Sequence, residues 1–174
     1  MTERATIDNH EESQSMGSLN HSIIQVQITG RLINDERFTV MVEPSLDVSQ
    51  MDLSQFGLKV KEELKPDVCL YPQSVWLQRR DVLKMSEMPL LAIEVISPEQ
   101  GIDDILAKFI DDILAKFDAY FMLGIKSCWL ITPALESITV HSQPDQFKTF
   151  DINDIEVVDE SIDIHLPLHN IFRR

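Results

Sequence analysis

The residues best placed to do chemistry are two acids set among apolar neighbours. Asp67 follows Pro66 at the head of the run DVCLY, and Glu94 interrupts the run LLAIEVI. An acid inside a buried strand must be ion-paired, hydrogen-bonded, protonated or bound to a metal. If the two runs are neighbouring strands, both carboxylates reach one end of a sheet and offer a hard-oxygen site suited to Mg2+ or Mn2+. A lysine from the following helix would then stabilise charge developing on a phosphoryl group or orient a water. The same residues admit a plainer account, in which Asp67 caps its own turn and Glu94 pairs with a nearby Arg or Lys.

The elements that must position these groups are legible as patterns. Asn20 is a candidate helix cap, followed by Ile23, Ile24, Ile28 and Leu32 at helical spacing, with Gly30 a mild flaw. FTVMV (38–42) reads as a strand ending at Glu43-Pro44, and 45–64 as loop with little regular structure. DVCLY (67–71), LLAIEVI (90–96) and CWLIT (128–132) read as strands, the second and third with the unbroken apolar character of strands covered on both faces. SITVH (137–141) and 147–150 are expected at an antiparallel edge, and Ile162, Ile164, Leu166 and Leu168 alternate in the closing tail. Residues 1–17 lack periodic apolar residues and are expected to be mobile, leaving 18–174 as one α/β domain with a mixed sheet.

Between Glu94 and the CWLIT strand the pattern is helical from Ile102 to about Leu123, and it contains an oddity. IDDILAKF occurs twice in tandem, at 102–109 and 110–117, so two lysines, Lys108 and Lys116, compete for one place. Eight residues advance a helix by about 12 Å and leave it rotated by roughly 80°, so both cannot occupy the same position. The short link MLGIKS must still return the chain to the next strand, which favours the second copy in the ordinary place and leaves the surplus beside the 97–101 loop. Lys116 is therefore preferred and Lys108 is the alternative.

Composition narrows the classes of function. The 174 residues carry a formal net charge of −14, which opposes non-specific attraction to nucleic acid or anionic membranes. The charge argues against a protein that merely coats DNA, but not against an enzyme that brings a divalent cation to a phosphate, because bound metal inverts the local field. Cys69 and Cys128 both lie in apolar runs and suit a reducing, cytoplasmic setting. No apolar run approaches a membrane span. His10, His141, His165 and His169 show no metal-ligand spacing. His21 reads more readily as a surface histidine at a helix end than as a catalytic one. Glu43 could face the same sheet end as Asp67, and Arg79-Arg80 could meet a phosphate, although adjacent loop arginines are usually solvated.

Taken in order, Pro66-Asp67, Ile93-Glu94-Val95-Ile96-Ser97-Pro98, an Asp and a Lys four apart on a helix, Tyr120, Gly124 and Trp129-Leu130-Ile131 resemble the Uma2 family. That family is of the DUF820 type, abundant in cyanobacteria and similar to the PD-(D/E)xK restriction endonuclease-like nucleases. The likeness runs from about Asn20 to Phe172, including the closing LPLHNIF. It implies an α/β restriction endonuclease-like fold, a mixed central β-sheet flanked by helices. It implies further that Asp67 and Glu94 hold Mg2+ or Mn2+ together with the carbonyl of Val95. The motif lysine would fall at Ile96, apolar here, and would be supplied instead from the helix by Lys116 (alternatively Lys108), with Tyr120 four residues on only in the second copy. DNA would be the substrate and a homodimer the assembly. The competing expectation is a catalytically inactive restriction-like scaffold acting as a homodimeric or partner-binding protein, which the acidic charge and the duplication favour.

Overall fold

The computed structural model describes residues 17–59, 62–96 and 103–174, without the side chains of 103–109. The reading of a mobile 1–17 segment, His10 and the 97–101 loop lie essentially outside the described residues.

Helix α1 (Leu19–Leu32) is capped by Ser18, whose hydroxyl accepts the His21 N–H at 3.2 Å. The expected cap, Asn20, lies inside the helix, because Ser18 already satisfies a free amide of the first turn. The chain continues through β1 (Phe38–Val42), β2 (Leu46–Asp47), a 3-10 turn at Leu53–Phe56 and β3 (Glu63–Leu64). The last three occupy the stretch expected as loop, and β2 and β3 correct that expectation only by a two-residue antiparallel pair, Leu46 opposite Leu64 and Asp47 opposite Glu63. Then come β4 (Val68–Pro72), β5 (Leu91–Val95), α2 (Asp103–Met122), β6 (Ser127–Thr132), β7 (Ser137–Gln143), β8 (Gln146–Asp151), β9 (Glu156–Asp159) and β10 (Ile164–Pro167).

Six strands form one mixed sheet in the order β1-β4-β5-β6-β7-β8. β5 and β6 are parallel, joined by the α2 crossover, and the other neighbours are antiparallel. All five residues of β5 and all six of β6 are buried, as strands sandwiched between two layers must be. One face packs Ile24, Ile28 and Leu32 of α1 and the separate β9–β10 ribbon over Val68, Ile93 and Trp129. The other packs Phe117, Ala119 and Tyr120 of α2 over Cys69, Ala92 and Cys128. Both cysteines are buried free thiols.

From Asp103 onward the tandem copies form a single continuous helix, and its end is sharply defined. Gly124 has φ +94°, the Gly124 N–H donates to the Phe121 carbonyl, and the Ile125 N–H donates to the Tyr120 carbonyl at 3.1 Å. This left-handed glycine closure stops the helix and turns the chain into β6. It ties the phase of Tyr120 and Lys116 to the sheet, whatever the length of the helix upstream.

Candidate active site

The β4–β5 register brings the two acids together. Val68 stands opposite Ile93, so one step further the antiparallel ladder sets Asp67 opposite Glu94. Both carboxylates are buried at that end of the strand pair, Asp67 at 6% and Glu94 at 4% exposure, with Asp67 meeting α1 and Glu94 meeting α2. The expected pairing at one sheet end is thus the arrangement found.

Each carboxylate has its own set of partners. Asp67 Oδ2 accepts the Val95 N–H at 2.7 Å, and Oδ1 lies 3.0 Å from His21 Nε2. Glu94 Oε1 accepts the Tyr120 hydroxyl at 2.7 Å, and Oε2 lies 4.0 Å from Lys116 Nζ. Among the described side chains, Lys116 is the lysine whose ammonium approaches Glu94. Lys108 stands two helical turns earlier on α2, and its side chain is outside the described residues.

The environment of Glu94 is short of positive charge. Burial pushes its carboxyl up to about 7, with the Asp67 charge adding to the rise; Lys116 and the Tyr120 hydrogen bond oppose it only in part. Tyr120 is itself raised well above an ordinary phenol by burial and by Glu94. His21 is raised because its bond to Asp67 outweighs its own burial.

His21 corrects the expectation of a surface histidine. It is 4% exposed and bonded to the first acid, since it lies one turn ahead of Ile24 on the face that α1 turns to the sheet. Ile23, read as part of that apolar face, is instead 46% exposed. Gln25, not singled out by its type or spacing, donates to the Asp67 carbonyl at 3.0 Å and reaches Glu43 Oε1 at 3.4 Å. Glu43 does lie at this sheet end: its N–H donates to the Asp67 carbonyl at 3.1 Å, with its backbone at φ +52°. Such a conformation is costly for a residue bearing a side chain, more so before a proline.

Other candidates fall elsewhere. Arg79 and Arg80 are exposed on the β4–β5 connection. His141 packs edge-on to Phe117, and His165 pairs with Glu156 at the surface. A third buried acid, Asp159, accepts bonds from the Ser127 hydroxyl and, at 2.7 Å, from the Trp129 indole. It fastens β9 to β6 and leaves no oxygen pointed at Asp67 or Glu94. A surface cleft between 152–155 and 168–173 is lined by neither site acid.

The donor chemistry fits a hard divalent cation. Two carboxylates and waters are a common set for Mg2+, which gives up its hydration reluctantly. A buried Glu held near neutrality beside a second acid is also what a cation would relieve. Among the described residues no three His, Cys, Asp or Glu side chains converge into a preformed cage, so the chain would supply part of the shell only.

Residues 8–168 match the profile of the Uma2 family, described as "Putative restriction endonuclease". Among solved structures, the chain resembles a "putative nuclease belonging to DUF820" from Anabaena variabilis ATCC 29413, with a TM-score of 0.62 and 18% identity. The match covers 90% of this chain and 82% of that one. At that identity the likeness establishes the fold, which is restriction endonuclease-like as expected. No curated protein matches the chain.

Proposed function

The chain belongs to the Uma2 family, and from that premise we propose that it is a metal-dependent endonuclease of the PD-(D/E)xK type that hydrolyses phosphodiester bonds in DNA. The observation that carries the reading is the opposed, buried pair Asp67 and Glu94 with the Lys116 ammonium 4.0 Å from the second acid. Asp67 and Glu94, with the Val95 carbonyl, would hold Mg2+ or Mn2+. When bound, the cation supplies Lewis-acid polarisation of the phosphate and a water of lowered pKa.

The protein's own residues have separable tasks. His21 and the Val95 N–H hold the Asp67 carboxylate in one orientation. Tyr120 holds one oxygen of Glu94 and leaves the other toward Lys116. Lys116 stabilises charge that develops on the phosphoryl oxygens, an interaction stronger in the transition state than in the ground state.

A second reading has support of its own. The net charge of −14 and the eight-residue duplication upstream of Lys116 favour a chain that keeps the scaffold and binds a partner without cleavage. Incubation with supercoiled and single-stranded DNA in Mg2+ or Mn2+ separates the two. The nuclease reading predicts cleavage abolished by EDTA, by Asp67→Ala and by Glu94→Ala. No cleavage, or cleavage that survives both substitutions, rejects it.

A further inference from the structure

The connection between β4 and β5 is far longer than its strands require. Residues 73–90 join two antiparallel neighbours that a tight turn of a few residues would link. A connection of that length without regular structure is usually a functional one. Its ends are tied down. The Gln73 N–H donates to the Arg37 carbonyl at 3.2 Å, the Thr39 hydroxyl to the Val75 carbonyl at 2.7 Å, and the Met85 N–H to the Ser45 carbonyl at 2.7 Å. Between those ties, residues 76–84 (WLQRRDVLK) make no backbone hydrogen bond to the rest of the fold among the described residues. They form an arm on fixed feet.

The arm inverts the character of the chain. Trp76, Leu77, Val82 and Leu83 are 67%, 89%, 51% and 87% exposed. Among them stand Arg79, Arg80 and Lys84 with Asp81 the one acid, in a chain whose net charge is −14. Lys84 lies 3.5 Å from Glu62, which leaves the two arginines as the outer cations of the arm. An exposed indole beside guanidinium groups suits a base stacked on the ring and phosphates neutralised next to it. Leucines beside arginines are also the side chains that wedge between base steps. A lipid surface would take the same residues, but it would bring the whole acidic body against an anionic plane, whereas a single strand meets the arm alone.

One foot of the arm is near the acids. Glu43 stands opposite Asp67 and bonds its carbonyl, and Ser45, two residues on, holds Met85. Allowing about 5 Å across each of these pairs and about 7 Å along the chain, the Met85 backbone lies within roughly 17 Å of that of Asp67. That is about five nucleotides of a stacked strand.

We propose that residues 76–84 bind single-stranded DNA, with Trp76 stacked on an unpaired base, Leu77 and Leu83 beside it, and Arg79 and Arg80 on the adjoining phosphates. The choice of DNA as ligand rests on the nuclease reading. A closed duplex offers no free base face to Trp76, so the arm favours unpaired stretches.

Fluorescence anisotropy of a labelled oligothymidylate with the full chain in EDTA tests this, because binding is then read without cleavage. Trp76→Ala should weaken binding about tenfold, and Trp76→Phe, which keeps a stacking face, should restore most of it. Raising salt from about 50 to 200 mM should weaken the wild type about sevenfold more than a variant carrying Arg79→Ala and Arg80→Ala, which lacks two phosphate contacts. Trp76 emission should fall on binding, while buried Trp129 keeps its own. The substituted side chains are exposed, so thermal unfolding should not change. No binding of the oligonucleotide, or binding indifferent to both Trp76→Ala and the arginine variant, overturns the proposal. Equal or tighter binding of a flush-ended duplex overturns it as well, as does a preference for vesicles of phosphatidylglycerol and phosphatidylcholine over DNA. Arm-dependent binding without cleavage in Mg2+ would reject the nuclease reading and support the arm; cleavage and binding untouched by the arm variants would do the reverse.

Discussion

His21 Nε2 lies 3.0 Å from Asp67 Oδ1, both side chains buried, so helix α1 is bonded to the first acid of the site. This contact joins an element from one face of the sheet to the end of the strand pair that presents the acids. It makes the orientation of Asp67 a property of the fold as well as of its own turn.

Removing that contact should be measurable as stability. His21→Ala should cost about 2 kcal/mol at pH 6, the usual range for a buried hydrogen bond to a charged group. The bond raises His21 above its ordinary 6.5, so its contribution is full below that value and is lost as pH rises through the raised one. Urea unfolding at pH 6 and pH 9 should therefore show the wild-type advantage shrinking at pH 9. His21→Gln, which keeps a donor but does not titrate, should recover part of the loss at both pH values.

Glu94 should give the protein a second pH dependence of the same sign. Burial raises its carboxyl from an ordinary 4.5 to about 7, so the folded state binds more protons than the unfolded state between those values. Its contribution is full below pH 4.5 and is lost as pH rises through about 7. Glu94→Gln keeps an acceptor for Tyr120 and removes the charge. In EDTA it should unfold with a flatter pH profile than wild type and be more stable above pH 8, by roughly 3 kcal/mol at most. An unchanged slope between pH 5 and 8 would mean that Glu94 is not desolvated.

Asp159 should matter to the fold and not to the site. Asp159→Ala leaves the buried Ser127 hydroxyl and Trp129 indole without their acceptor. The expected loss is about 2–5 kcal/mol, from two unsatisfied donors. Cation binding measured below the lowered melting temperature should stay within twofold of wild type.

How much of this could be read from the letters depended on whether the signal was local. Asp67 and Glu94 were legible because one heads and the other sits within a short apolar run bounded by proline, where an acid is conspicuous. Lys116 could be preferred over Lys108 because the link to β6 is short, and the Gly124 closure is the physical form of that constraint. His21 was misjudged because α1 is apolar on both sides. With Ile23 and Ile24 adjacent, periodicity alone could not say which stripe meets the sheet. Asp159 was invisible for another reason: its burial comes from Trp129 and Ser127, thirty residues away in sequence, while its neighbours in VVDESID resemble a solvated turn.

Asp67 and Glu94 are proposed to form one cation site, and titration calorimetry with Mn2+ on the metal-free protein tests that pairing. Saturable binding is predicted, lost in Asp67→Ala and in Glu94→Gln and retained in Lys116→Ala and Asp159→Ala. A silent titration, or binding that persists when both acids are removed, would contradict it.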